Sequence, residues 1–221
     1  MVPFGVIWRE ARLGKTIGRI QSNVILQQWR EEIRGLVLDL GCGQSPSYGR
    51  LLGLGNGTEI RLVRLDYNPI FRPTVIADLS QGIPFKGETA DLLILSSVLY
   101  ILPRPEELIR EARRVLKPHG KLFLVAPLIF PHHPEPTDYW RFTEQTLQLL
   151  LRETGFLQPT IVPFGGRWTA AAYLLAPFLR PQRLVAPLAY WLSMRLDAWT
   201  EKWFVRPPKC PIGYVVKATA E

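Results

Sequence analysis

The residues best suited to chemistry in this chain begin with an acid and two glycines. Val37-Leu38-Asp39-Leu40 is an apolar run that carries Asp39 into Gly41-Cys42-Gly43-Gln44-Ser45-Pro46. Gly41 and Gly43 admit positive φ and let a ligand come close to the main chain, while Pro46 suits a first helical turn, where its missing N–H needs no partner. A strand, a tight glycine turn and a helix start in that order mark a nucleotide-type cofactor site. Two more acids end the next apolar stretches, Asp66 after residues 59–65 and Asp78 after residues 74–77. Asp66 is placed to accept hydrogen bonds from ribose hydroxyls, a role that dinucleotide enzymes give to an acid about 20 residues past their glycines. A dinucleotide turn reads G-x-G-x-x-G, however, and its third glycine is Pro46 here. A plain turn, or a helix cap or solvated acid at Asp66 or Asp78, is the alternative to a site. Three acids at three consecutive strand ends weigh against it.

A second chemical set lies in residues 130–143, which hold His132, His133, Asp138, Tyr139 and Trp140. Imidazole titrates near neutrality and serves as a general base, so acid–base or orienting work is expected of His133 with Asp138. A loop role without chemistry is equally open for the histidines. No metal is expected, because two adjacent histidines lack the spaced further ligands that a site needs.

These residues require a sheet to hold them. Residues 59–66 alternate apolar and polar, as a strand does, and residues 74–79 form a short third strand before Gly82 and Pro84. Residues 91–99 are almost continuously apolar, the pattern of a parallel strand buried on both faces. Residues 105–116 put Leu108, Ile109, Ala112, Val115 and Leu116 on one side of an amphipathic helix, which Lys117-Pro118-His119-Gly120 stops before a strand at 121–126. Thr143 reads as the N-cap of a helix over 144–151, and residues 211–218 close the chain as a last strand. The alternation of strand and helix is that of an α/β fold.

With Asp39, Gly41 and Gly43 forming acid-x-Gly-x-Gly, and with the string from Asp91 to Pro127, residues 36–127 resemble the class I S-adenosylmethionine-dependent methyltransferases of the group called type 11. The resemblance implies a three-layer Rossmann-like sheet of order 3-2-1-4-5-7-6 with strand 7 antiparallel. It implies S-adenosylmethionine as cofactor, rather than NAD, and methyl transfer to a small-molecule or lipid-like acceptor. A cofactor-binding or inactive protein of the same fold, with a scaffold or regulatory role, is the alternative. Asp39, Gly41, Cys42 and Gly43 are implied around the amino acid part of the cofactor. Asp66 with Tyr67, Asp78 with Leu79, and Ser96 complete the implied cofactor residues, Asp78 meeting the adenine amino group. Loops like residues 130–143 recur in the family with a histidine, an Asp-Tyr-Trp-Arg-like run and a threonine cap, which makes His132, His133, Asp138 and Tyr139 the catalytic candidates. The chain departs from the family at two places. Ser45 stands where a further glycine is common, and Tyr100-Ile101-Leu102-Pro103 stands for Glu-His-Leu-Pro, so the family's histidine is replaced by Ile101.

With 221 residues, 47% of them hydrophobic, the chain can bury one α/β core, and no low-complexity linker divides it. Cys42 and Cys210 form no C-x-x-C pair, so neither a disulfide framework nor a zinc site is expected and a cytoplasmic setting is the default. The start of the chain has its charges after the apolar part, unlike a secretory signal. The net charge of +8 is uneven: +3 over residues 1–34, 0 over 35–151 and +5 over 152–221. Residues 1–34 are expected as a helical flank, 35–163 with 210–219 as the methyltransferase core, and 164–209 as an apolar, basic insertion between strands 6 and 7. Within the insertion, Arg180 and Arg183 break residues 168–194 into uncharged runs of 12 and 11 residues, short of the roughly 20 that a spanning helix needs. Short helices are expected there. They either cap the site or lie on an anionic membrane with Arg180, Arg183, Arg195, Lys202 and Arg206 near lipid phosphates. Nucleic acid is the least favoured partner of the basic flanks.

Overall fold

The computed structural model describes residues 2–44, 47–54, 60–134, 136–178, 182–203 and 210–221. Ser45, Pro46, Arg180 and Arg206 lie outside the described residues, as does the side chain of Arg183.

One sheet organises the chain. Its strands are β1 (Gly35–Leu40), β2 (Ile60–Asp66), β3 (Val75–Ile76), β4 (Ala90–Ser96), β5 (Leu116–Pro127), β6 (Phe156–Phe164) and β7 (Gly213–Ala220). They lie side by side as β3-β2-β1-β4-β5-β7-β6. The first five pair parallel and β7 runs antiparallel to both β5 and β6, as expected. Central parallel strands are buried on both faces, which is why their sequences are continuously apolar. One face carries α1 (Phe4–Arg12), α2 (Ile17–Gln27), α3 (Gly49–Leu52), and, from the stretch between β6 and β7, α6 (Arg167–Leu175) and α7 (Gln182–Trp203). Ile7, Ile20, Leu52, Tyr173 and Tyr190 of these helices pack with Val37, Leu92, Ile94 and Phe123. The other face carries α4 (Pro105–Val115) and α5 (Glu144–Glu153), whose Leu108, Ala112, Leu147 and Leu151 pack with Leu38, Leu40, Leu93 and Leu95. Thr143 caps α5, its hydroxyl accepting from the Thr146 N–H at 3.2 Å.

Four local expectations change. The helix after the glycine turn starts at Gly49 and is a single turn, so no long helix N-terminus faces the turn. β3 is only two residues long, and Asp78 stands two residues beyond it, capping the 3-10 turn Leu79–Gln81 by accepting from the Ser80 N–H at 2.9 Å. β5 begins at Leu116, directly after α4, because Leu116 already pairs with Ala90 ahead of the irregular residues 117–120. α7 runs for 22 residues rather than as a short helix. It passes Arg195 because that side chain lies on the exposed side, where a charge does not interrupt a helix.

Candidate functional site

The carboxyl ends of β1, β2 and β4 meet at one edge of the sheet, the edge at which such folds bind ligands. The end of β2 holds the glycine turn that follows β1. The Leu65 carbonyl accepts from Gly41 N–H at 2.9 Å and from Cys42 N–H at 3.0 Å, and Asp66 Oδ2 accepts from Gly43 N–H at 2.9 Å. Gly41 and Gly43 have φ of 70° and 60°. A Cβ on Gly41 would stand 2.5 Å from Val98 Cγ2, whereas a Cβ on Gly43 would meet nothing within 4 Å. Gly41 is therefore required by packing, and Gly43 borders open space over the turn. A pyrophosphate needs free N–H groups at a helix N-terminus. These three N–H groups are already bonded, which speaks against a dinucleotide.

Asp39 supplies what an amino-acid-bearing cofactor needs instead. Its side chain is fully buried: Oδ1 accepts from the Tyr48 hydroxyl, and Oδ2 has no hydrogen-bond partner among the described residues. Burial pushes the carboxyl up to about 6, against the opposing effects of the Tyr48 hydrogen bond and the nearby Arg64. A buried acceptor without a partner is costly, and a cationic donor brought to Oδ2 relieves that cost. Arg64 is bound to the same turn, Nη2 donating to the Gly43 carbonyl at 3.0 Å, with Nε buried and unpaired. The N-terminal flank fixes Tyr48 from outside. Lys15 Nζ and Asn23 Nδ2 donate to the neighbouring Ser47 carbonyl at 2.8 and 3.1 Å. Tyr48, Arg64 and these flank contacts escaped the sequence reading. Arg64 alone had a signal, a charge two residues before the strand-end acid.

The other expected cofactor residues line the same edge. Asp66 is buried and its Oδ1 also accepts from the Asn68 N–H at 3.0 Å. Tyr67 beside it is half exposed, Asp78 is exposed and Leu79 is buried. Ser96 ends β4 and is partly buried. Ser97 after it takes a left-handed φ of 59° and donates its N–H to the Val125 carbonyl at 2.9 Å. Cys42 is buried, which pushes its thiol up and makes it a packing residue rather than a nucleophile.

The loop over residues 130–142 is tied to the segment after β4. The Tyr100 carbonyl accepts from Tyr139 N–H at 2.9 Å and Trp140 N–H at 3.3 Å, Trp140 Nε1 donates to the Leu102 carbonyl at 2.9 Å, and Thr137 Oγ1 to the Ile101 carbonyl at 2.6 Å. Here the expected His133–Asp138 pair is corrected. Asp138 Oδ2 accepts from the His133 main-chain N–H at 2.9 Å, not from its imidazole, and both carboxylate oxygens are held by Arg141. The Arg141 guanidinium holds the Asp138 carboxyl well below the usual range, which favours its ionised form. The His133 ring instead stands edge-on to Phe130, with centroids 5.8 Å apart, and Phe130 packs on Tyr100 at 5.6 Å and Tyr173 at 6.5 Å. His132 and Tyr139 are exposed. Among the described residues no group of three or more His, Cys, Asp or Glu side chains is placed to hold a metal ion.

This seven-stranded sheet, with its antiparallel β7, is that of the Rossmann-like methyltransferase fold. A family model described as "Methyltransferase domain" matches residues 38–124, from the turn through β5, and places that stretch in the methyltransferase domain family. No curated protein matches the chain. Among solved structures, the chain is similar to an S-adenosylmethionine-dependent methyltransferase from Archaeoglobus fulgidus. They share 16% identity with a TM-score of 0.58, covering 89% of this chain and 92% of that one. A methyltransferase from Thermotoga maritima, titled a possible histamine N-methyltransferase, gives 14% identity and a TM-score of 0.58 over 97% of this chain and 92% of that one. Phosphoethanolamine N-methyltransferase 2 of Haemonchus contortus, in complex with S-adenosyl-L-methionine, gives 12% identity and a TM-score of 0.59 over 90% of this chain and 52% of that one. The cofactor of this class is S-adenosylmethionine.

Proposed function

We propose that the chain transfers a methyl group from S-adenosylmethionine to a small-molecule or lipid-like acceptor held under residues 130–142. The observation that carries this reading is the buried Oδ2 of Asp39, without a hydrogen-bond partner among the described residues, four residues before Gly43, over which there is open space. When bound, the cofactor supplies a methyl on a sulfonium, open to in-line displacement. Asp39 pairs with the ammonium of its amino acid part. Asp66, with a second lone pair on each oxygen, accepts from the ribose hydroxyls, and Tyr67, Asp78, Leu79 and Ser96 border the adenosine. Tyr100, Phe130 and Tyr173 form an apolar aromatic wall that keeps water from the acceptor and fixes its approach, which is the main demand of a displacement reaction. His133, on the same wall, is the group left to take up a proton, with His132 and Tyr139 at the rim.

Calorimetry tests the cofactor assignment. S-adenosylhomocysteine binds and NAD does not, and Asp66→Ala weakens binding by about 1.5–3 kcal/mol, the value of a hydrogen bond to a charged group. NAD binding tighter than S-adenosylhomocysteine overturns the reading. Turnover with methyl-labelled cofactor then separates an enzyme from an inactive protein of the same fold.

A further inference from the structure

Among the described residues the outer side of α7 has no partner, yet it is apolar. Leu184, Leu188, Leu192, Arg195, Trp199 and Trp203 follow one another at steps of four or three, so they form a single stripe along the helix. The five apolar members are each more than half exposed. The opposite side, with Ala186, Tyr190 and Met194, is already used in packing on the core. The exposed stripe is thus surplus to the fold. α1 extends it: Phe4 sits edge-on to Trp191 with centroids 5.8 Å apart, and a groove of about 470 Å³ between them is lined by Val2, Pro3, Phe4, Leu188, Trp191 and Arg195.

Charge selects what covers this face. Arg12, Arg167, Arg195 and Lys202 are exposed around it. Arg195 stacks over Trp191 at 5.2 Å and Arg12 over Trp8 at 6.0 Å. The acids nearby are mostly withdrawn. Glu10 is buried against Lys15 and Arg9, and Asp197 caps α6 by accepting from the Trp168 and Thr169 N–H groups at 2.9 and 3.0 Å. Glu201 is the exposed acid on α7. Apolar side chains with tryptophans among them, bordered by arginine and lysine, fit the boundary between acyl chains and anionic headgroups. Among the described residues no helix is long and apolar enough to cross a membrane. We infer that α1 and α7 dock this face on an anionic bilayer surface. The surface then lies one helix away from the acceptor wall, because Tyr173 on the inner side of α6 stacks on Phe130.

Vesicle sedimentation with the full chain tests this without any turnover, so it can fail while the methyl-transfer reading stands, and the reverse. The protein sediments with vesicles of phosphatidylcholine and phosphatidylglycerol, less with phosphatidylcholine alone, and is released by salt. Arg195→Glu and Lys202→Glu each lower the partition at least about fivefold, the equivalent of about 1 kcal/mol per basic residue. Leu188→Glu with Leu192→Glu lowers it about tenfold or more. These positions are exposed, and circular dichroism with S-adenosylhomocysteine binding verifies that each variant is folded. Absence of sedimentation, or sedimentation unchanged in all variants, overturns the inference. So does a dimer in analytical ultracentrifugation that the leucine variant abolishes, since a second copy then covers the face.

Discussion

Lowering the pH is the sharpest perturbation of the cofactor site, because Asp39 titrates where proteins can still be handled. Its carboxyl lies at about 6 rather than 3.8, raised mainly by burial. A bound ammonium next to Oδ2 favours the ionised form, so binding releases a proton wherever Asp39 is protonated in the free protein. Affinity therefore rises with pH and levels off above about 7. Near pH 7 roughly nine-tenths of Asp39 is ionised, and near pH 5 roughly one-tenth. The affinity for S-adenosylhomocysteine should fall about tenfold between the two, or about 1.4 kcal/mol. Asp39→Asn keeps the size and loses the titration. It should bind more weakly at pH 7 by about 1.5–3 kcal/mol and show a flat profile between pH 5 and 7. Calorimetry in buffers of different ionisation enthalpy measures both the affinity and the proton release. His132 and His133 are present in both proteins, so the difference between the two profiles belongs to Asp39. An equal affinity of the parent at pH 5 and 7, or an equally steep loss in Asp39→Asn, refutes the reasoning.

Three further contrasts follow from the geometry. Gly41→Ala combines a left-handed φ with a contact at 2.5 Å on Val98 and should lower stability in urea by about 2–5 kcal/mol, whereas Gly43→Ala should cost only about 1–2 kcal/mol and instead lose S-adenosylhomocysteine binding, because its Cβ enters the open space. In single-turnover methylation, His133→Ala slows the reaction by about 10²–10⁴ if its imidazole takes the proton, and His132→Ala by far less. Asp138→Asn chiefly lowers stability, by about 1–3 kcal/mol at pH 7, and the gap to the parent narrows as pH falls below about 4, since a carboxyl held low by Arg141 stabilises the fold only while it is ionised.

The sheet was legible because its signals are local. Apolar runs, a glycine turn and strand-end acids are written within single segments; they marked the strands and the edge at which the candidate site lies, and the family resemblance that they carry supplied the strand order. What was not legible depends on direction and on distant partners. A strand buried on both faces does not say which way Asp39 points, so neither its full burial nor its unpartnered Oδ2 follows from its place near the end of β1. Tyr48 sits in an irregular stretch, and its position depends on partners that no local pattern shows: Asp39 for its hydroxyl, and Lys15 and Asn23 for the neighbouring Ser47. The cap on α6 comes from Asp197, across the α6–α7 hairpin, and no local pattern announces such a cap. Charge spacing misled in α7 for a related reason. A count of uncharged residues measures a membrane span, but a surface helix tolerates a charge on its exposed side.

The loop over residues 130–142 shows how the change at Ile101 is accommodated. Where the family often has a histidine, Ile101 gives its main-chain carbonyl to Thr137, and its neighbours Tyr100 and Leu102 give theirs to Tyr139 and Trp140. The segment after β4 has thus become an anchor for the loop. Asp138 and Arg141 tighten the loop from within, and Arg141 also lies over the rings of Tyr100 and Phe130, 6.0 and 5.8 Å from their centroids. Their charges face each other within the loop. The imidazole of His133 is the titratable group that this arrangement leaves against the aromatic wall. In the reaction proposed above, an acceptor proton would fall to His133, and an acceptor without one would need the loop only for alignment and the exclusion of water.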